Sequence, residues 1–250
     1  MKNLLLVLLV LPFIGFGQIV NIPDANFKAY LVGNTAINTN GDKEIQVSEA
    51  SAFKGEIDCS YMNISNLKGI EAFTALTKLY CEGNQLSSLD VSKNSALTQL
   101  YCEGNQLTSL DVSKNSALTQ LWCYENDLTS LDISKNSALI YFKCNANQLS
   151  SLDVSQNNAL ASLDCGLNKI TSLDVSLNTA LTSLWCAENK LISLDVSKNT
   201  DLTDLRCYNN QLSSLDVSKN TLDWLYCDGN KFDCAALISQ YGIENLEIGN

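Results

Sequence analysis

LTQLYCEGNQLTSLDVSKNSA, Leu97 to Ala117, recurs almost letter for letter along most of the chain. Setting the copies under one another places cysteine at Cys81, Cys102, Cys123, Cys144, Cys165, Cys186 and Cys207, all at one constant interval, then at Cys227 after a one-residue deletion. Cys59, one position further from Cys81 than that interval, belongs to a degenerate first copy, IDCSYMNISNL. A fixed period of this length is the signature of a solenoid, in which each turn stacks only on its neighbours.

Each copy divides into two half-units, L-x-x-L-x-C-x-x-N-x and L-x-x-L-D-V-S-x-N-x-A. Side chains alternate across a strand, so in Leu100-Tyr101-Cys102 the leucine and cysteine point inward and the tyrosine outward. Stacked turns then set each inward residue above its equivalent, about 4.8 Å away, in parallel in-register ladders. Leu110 and Val112 repeat the arrangement in the second half-unit and predict a second sheet. Asn105 and Asn115 form columns of their own, where an amide offering both donor and acceptor can satisfy the backbone of a buried turn.

Both half-units resemble the leucine-rich repeat signature L-x-x-L-x-L-x-x-N/C-x-L, with Cys102 or Val112 in the third apolar position and Asn105 or Asn115 in the asparagine position. The resemblance is to the short nested 21-residue class of secreted bacterial leucine-rich repeats, and more distantly to the internalin adhesins. It implies a repeat solenoid, a mainly β leucine-rich repeat coil of stacked short parallel β-strands with short α-helical caps at both ends. It also implies protein or surface recognition without catalysis. Many such relatives carry a C-terminal sorting domain, and none is read in the closing residues Glu244 to Asn250.

The organisation read from the chain is a signal peptide over 1–17, an N-terminal helical cap over 18–56, repeats over 57–232 and a C-terminal cap over 233–250. The opening MKNLLLVLLVLPFIGFGQ has Lys2 as its positive region, an apolar run from Leu4 to Phe16, and small residues Gly15 and Gly17 at a cleavage site before Gln18. That run is short of the roughly 20 residues a membrane-spanning helix needs, and no later stretch is long and apolar enough. Secretion, or display on the surface of a Gram-negative bacterium, is the expected localisation, and a monomer the expected state.

The 250 residues carry a formal charge of −11 and no histidine. The acidic balance argues against a nucleic-acid groove. Without histidine no Ser-His-Asp or Cys-His nucleophile can be built, and the commonest zinc ligand is missing. The acidic residues form regular columns rather than a carboxylate pair in a cleft, so no enzyme and no required cofactor is expected.

Ten cysteines in a secreted chain would ordinarily suggest a disulfide framework. Ladder neighbours on parallel strands, however, have parallel Cβ vectors, a poor geometry for a bridge. The ladder reads as reduced thiols filling a tight interior. Cys234 lies outside it, seven residues after Cys227, and a terminal Cys227–Cys234 bridge is left open.

At the ends, IPDANFKAYLVG predicts a helix from an Asp24 cap to Gly33, and DCAALISQYGI one from an Asp233 cap to Gly242. After the first comes NTNGDKEIQVSE, Asn38 to Glu49. Laid on a twelve-residue EF-hand loop, it offers Asn38, Asn40 and Asp42 at positions 1, 3 and 5, the carbonyl of Glu44 at 7 and Glu49 at 12. Two features depart from that pattern: Asn38 lacks the expected charge, and Lys43 stands at the sharp-turn position that favours glycine. A weak structural calcium site and a plain polar loop are the two readings.

Between the inward leucine and cysteine the copies read Tyr80, Tyr101, Trp122, Lys143, Asp164, Trp185, Arg206 and Tyr226, and flanking outward positions add Tyr124, Tyr141, Tyr208 and Trp224. All three tryptophans and six of the nine tyrosines thus fall on one face. Tyr80, Tyr101, Trp122, Tyr124, Tyr141, Trp185, Arg206, Tyr208, Trp224 and Tyr226 are the candidate ligand-binding residues. Gathered aromatics usually mark a contact surface for a protein or cell-surface ligand. Polysaccharide is the competing ligand, and mere cross-strand stabilisation of the sheet the bland alternative. The second half-unit instead repeats Asp90, Asp111, Asp132, Asp153, Asp174, Asp195 and Asp216, either a solvated acidic face or a cation-binding row.

Overall fold

A computed structural model describes residues 17–243; the signal-peptide reading, apart from Gly17, and the closing residues 244–250 lie outside the described residues. Helix α1 (Ala25–Gly33) is capped by Asp24, whose Oδ1 accepts from the N–H groups of Asn26 and Phe27, both at 3.0 Å. Helix α2 (Val47–Ala52) opens on a capping box between Gln46 and Glu49. The repeats then supply one three-residue strand per turn: β1 (Glu56–Asp58), β2 (Lys78–Tyr80), β3 (Gln99–Tyr101), β4 (Gln120–Trp122), β5 (Tyr141–Lys143), β6 (Ser162–Asp164), β7 (Ser183–Trp185), β8 (Asp204–Arg206) and β9 (Trp224–Tyr226). Helix α3 (Cys234–Tyr241) closes the described chain, with Asp233 as N-cap and Gly242 left-handed at φ 64°.

The strands form a single nine-stranded parallel sheet in sequence order, in register turn for turn, with Leu79, Leu100, Leu121, Phe142, Leu163, Leu184, Leu205 and Leu225 in one column. The core is one ribbon along the coil. Its leucine and cysteine ladders are fully buried from Ile57 and Cys59 to Leu225 and Cys227. This is a leucine-rich repeat solenoid of the expected class.

The second expected sheet does not form. Leu110 and Val112 are buried, but the only pairing there among the described residues is an isolated bridge between Asp90 and Asp111. The backbone donors are used locally: Ser113 N–H goes to Asp111 Oδ1 at 2.8 Å, Asn115 N–H to Val112 O at 2.9 Å, and Leu118 N–H to Asn115 O at 3.1 Å. Short polar side chains compete with a ladder in this way, and the D-V-S-x-N segment is a turn in every copy.

The asparagine columns also differ from each other. Asn105 uses both ends of its amide, donating to the carbonyls of Cys81 and Cys102 at 3.0 Å and accepting from Leu107's counterpart one turn back, Leu86 N–H, at 3.0 Å. Asn115 donates to Val91 O and Asn94 O, but its buried Oδ1 has no hydrogen-bond partner, and the same holds from Asn94 to Asn220.

Both ends are tied down. Phe27 and Leu31 of α1 are fully buried, Asp24 Oδ2 accepts from Ser65, and the free edge of β1 donates Asp58 N–H to Tyr30 Oη at 3.0 Å. At the far end Cys227 and Cys234 are joined, with Cα atoms 5.7 Å apart, while the other eight cysteines are free and buried. Burial pushes the ladder thiols well up, Cys59 and Cys207 to about 12.

Candidate binding face

Each strand sends its first and last residues outward, and the residue after the inward cysteine follows them, so three outward columns run along the sheet. The central column holds Tyr80, Tyr101, Trp122, Lys143, Asp164, Trp185, Arg206 and Tyr226; Tyr141 and Trp224 stand in the leading column, Tyr124 and Tyr208 in the trailing one. All ten candidate residues are therefore on one face. Tyr141 and Trp224 are exposed, at 46% and 41%, and the other eight are half-buried.

That half-burial comes from the residues themselves. Tyr80 and Tyr101 stack at 4.5 Å between centroids and 14° between planes, and Tyr101 and Trp122 at 4.1 Å and 7°. Lys143 Nζ closes this stack 4.5 Å above the Trp122 ring. A second stack follows, with Arg206 Cζ 3.9 Å from the Trp185 ring and 5.1 Å from that of Tyr226. Between the two lies Asp164, whose carboxyl burial pushes upward and which accepts Gly166 N–H at 3.1 Å. The cross-strand spacing suits this, because parallel rings one strand apart are close enough to stack.

The polar tips of the rings are also engaged. Tyr80 Oη bonds Gln99 Oε1, Tyr101 Oη bonds Gln120 Oε1, and Trp185 Nε1 donates to Asp204 Oδ2 at 2.8 Å. Each partner stands in the leading column of the next strand, two positions before the aromatic's own equivalent there. Trp122 breaks the rule: Tyr141 occupies the partner position, and the buried Trp122 Nε1 is unpaired. Sequence reasoning missed these partners, for which that fixed offset was the available signal. It missed Glu82 and Glu103 as well, whose carboxylates sit near the head of the trailing column.

The N-terminal loop is a second candidate. Asn38 is buried and donates to Val32 O at 2.9 Å and Asp42 O at 2.8 Å. Asn40 donates to Asp42 Oδ2 and Gln46 Oε1, and the Glu44 carboxylate pairs with Lys28 at 2.7 Å. Glu49 Oε1 accepts from Thr39 N–H, Thr39 Oγ1 and Asn40 N–H, and Oε2 from Gln46 N–H. Burial works against the Glu49 charge, but these bonds hold its carboxyl below the ordinary range. The left-handed turn falls at Gly41, φ 71°, and Lys43 does not adopt it. As folded, the Asp42 and Glu49 carboxylates accept from the loop's own donors, and the left-handed residue falls two positions before the sharp-turn position of an EF-hand loop.

On the opposite side each column aspartate accepts the N–H of the serine two residues on, as Asp111 does from Ser113, and hydrogen bonds from these serines lower the aspartate pKa values.

No family model matches the chain, and no curated protein matches it. Among solved structures it is similar to the functional domain of InlJ from Listeria monocytogenes, which includes a cysteine ladder. The identity is 35%, over 91% of this chain and 56% of that one, with a TM-score of 0.71. The chain thus spans little more than half the length of that solved domain. It is also similar to internalin C2 of Listeria monocytogenes, at 16% identity over 81% of this chain and 94% of that one (TM-score 0.69). A leucine-rich repeat protein of Leptospira interrogans matches at 21% identity over 80% and 62% (TM-score 0.65). These last two likenesses show the fold alone. Parallel in-register coil, thiol column and structural neighbours together make the chain an internalin-like leucine-rich repeat protein.

Proposed function

We propose that the chain is a non-enzymatic extracellular binding module that recognises a protein or cell-surface ligand through the outward face of its nine-stranded sheet. One observation carries the reading. The inward residues are nearly invariant from turn to turn, whereas the central outward column, after three aromatic turns, changes at every step among aromatic, basic and acidic. A scaffold repeated for stability alone has no reason to hold its interior constant and vary that face. The internalin likeness supports a protein ligand, and residues 1–17 are proposed to direct the chain to the secretory route.

A polysaccharide ligand is less well served. Stacking on a sugar ring uses the flat side of an aromatic residue, and both faces of Tyr101 are already taken by Tyr80 and Trp122, while Lys143 and Arg206 cover further faces. In the stacked central column, what remains toward the ligand is mostly ring edges and charged tips, which suit a protein surface. The N-terminal loop is proposed to be a self-bonded cap that needs no ion.

The test is binding of the full chain to intact cells, matrix proteins and a glycan array, beside Trp122→Ala/Trp185→Ala. Protein or cell binding that falls by about thirtyfold or more in the double variant, roughly 2 kcal/mol, is the expected result. Glycan binding lost in the variant would move the function to carbohydrate, and binding indifferent to both tryptophans would place the site elsewhere.

A further inference from the structure

The N-terminal end of the same face holds a pair of acidic groups that the fold does not explain. The trailing column reads Ser60, Glu82, Glu103, Tyr124, Asn145, Gly166, Ala187, Tyr208 and Asp228, so nothing in the coil demands a carboxylate in its second and third turns. Glu103 is only 6% exposed, and its Oε2 has no hydrogen-bond partner; Glu82 Oε2 is buried and unpartnered in the same way. The ion pairs among the described residues are Lys28–Glu44, Lys78–Glu56 and Arg206–Asp204, and none reaches either group. Lys143, the nearest basic residue of the central column, is held over Trp122. A buried carboxylate oxygen without a donor carries a desolvation cost, which a binding site recovers only when its ligand arrives.

The surroundings leave room for that ligand. Beside each cysteine turn, one residue is left-handed, and downstream copies fill that position with Glu125, Ala146, Leu167, Glu188 and Asn209 at φ 51° to 53°. Beside Glu103 it is Gly104, itself left-handed at φ 62°, where an added Cβ would meet nothing nearer than 3.5 Å. The glycine leaves no side chain at that position beside Glu103. One turn back, the ring of Tyr61 lies across Gly83, where a Cβ would come within 2.2 Å of it, and stands 75% exposed as a wall. On the other side, the Tyr124 hydroxyl supports the charged form of Glu103.

We infer that Glu82 and Glu103, walled by Tyr61 and Tyr124 and bared at Gly104, form a subsite for one basic side chain, lysine or arginine, of a protein ligand. The inference rests on the reading of this face as protein-binding. A guanidinium or ammonium group supplies donors to the unpartnered Oε2 of each carboxylate, and an aromatic wall beside it adds a cation–π contact. The chain already makes this match within itself, where Arg206 lies between Trp185 and Tyr226 and bonds Asp204. Two carboxylates are too few for a calcium cage, which takes six to eight oxygens. Burial first, and then the Glu82 charge, push the Glu103 carboxyl up to about 7, with Tyr124 and Lys143 opposing, so an arriving cation displaces a proton.

The experiment titrates N-acetyl-L-arginine amide, with the uncharged N-acetyl-L-citrulline amide as control, into the full chain carrying 13C-labelled glutamate carboxyl groups. Saturable binding near the millimolar range is expected for a single side chain. It should move the Glu103 titration midpoint down by about half a unit or more, roughly a threefold drop in proton affinity. Citrulline amide should do neither, and Glu103→Gln should abolish the response. Equal behaviour of the two amides, or an arginine response that survives in Glu82→Gln/Glu103→Gln, overturns the subsite. Failure of the face as a whole is read separately, from cell binding that persists in the tryptophan double variant.

Discussion

The thiol of Cys81 donates to the carbonyl of Tyr101 across one turn of the coil, with Sγ 3.4 Å from O. Cys59, Cys102 and Cys123 do the same toward Tyr80, Trp122 and Lys143. A thiol in this position is a small apolar filler whose one weak donor is used, and burial holds it far from its thiolate form. Native protein should therefore react with no thiol reagent at neutral pH. Denatured, unreduced protein should release eight equivalents, and ten only after reduction. Reactive thiols in the folded chain would contradict the ladder.

The two asparagine columns should not be equally costly to lose. Asn105→Ala removes two donated bonds and strands Leu86 N–H in the interior, whereas Asn115→Ala removes donated bonds and also an oxygen that was already unpaired. Chemical denaturation should show Asn105→Ala to be the more damaging by about 1 kcal/mol or more.

Glu103 sets the sign of one part of the pH dependence. Its carboxyl is raised from 4.5 to about 7, so the folded chain holds this proton more tightly than the unfolded one. The associated stability is fully present below about pH 4.5 and is lost as pH rises toward 7. Glu103→Gln should flatten the decline in that window, and melting temperature against pH measures it. The column aspartates act oppositely: their lowered pKa values give stability that fades as pH falls through the acid range. Stability that rises steadily from pH 5 to pH 7 would show Glu103 to be ionised at no cost.

Millimolar calcium should leave the melting temperature unchanged, because the Asp42 and Glu49 carboxylates already accept from the loop's own donors. A rise of several degrees would mean that the loop rebuilds around the ion.

How far the sequence could be read follows from which contacts repeat. Leucine and cysteine are buried alike in every copy and the first asparagine column repeats its bonds, so period and alternation sufficed for the sheet and its register. Asp24, Gly33, Asp233 and Gly242 marked the cap helices by local chemistry alone. The D-V-S segment misled, because its apolar alternation suits a strand while its aspartate and asparagine bonds close a turn. The face was legible as a set of residues but not as a structure. Whether Tyr101 offers its ring to a ligand or to Trp122 depends on neighbours one full copy away. The isolation of Glu103 depends on what fails to reach it.

Trp122 and Trp185 are three copies apart, each with a basic residue one copy further on. At about 4.8 Å per strand the two stations are separated by roughly 14 Å. Because the turns are interchangeable inside, gain or loss of one copy between the stations would change that distance by a single strand spacing without disturbing either stack. The coil is in this sense a graduated ruler: recombination between near-identical copies can retune the reach of the molecule in fixed increments, and a partner with two contact points would sense each step.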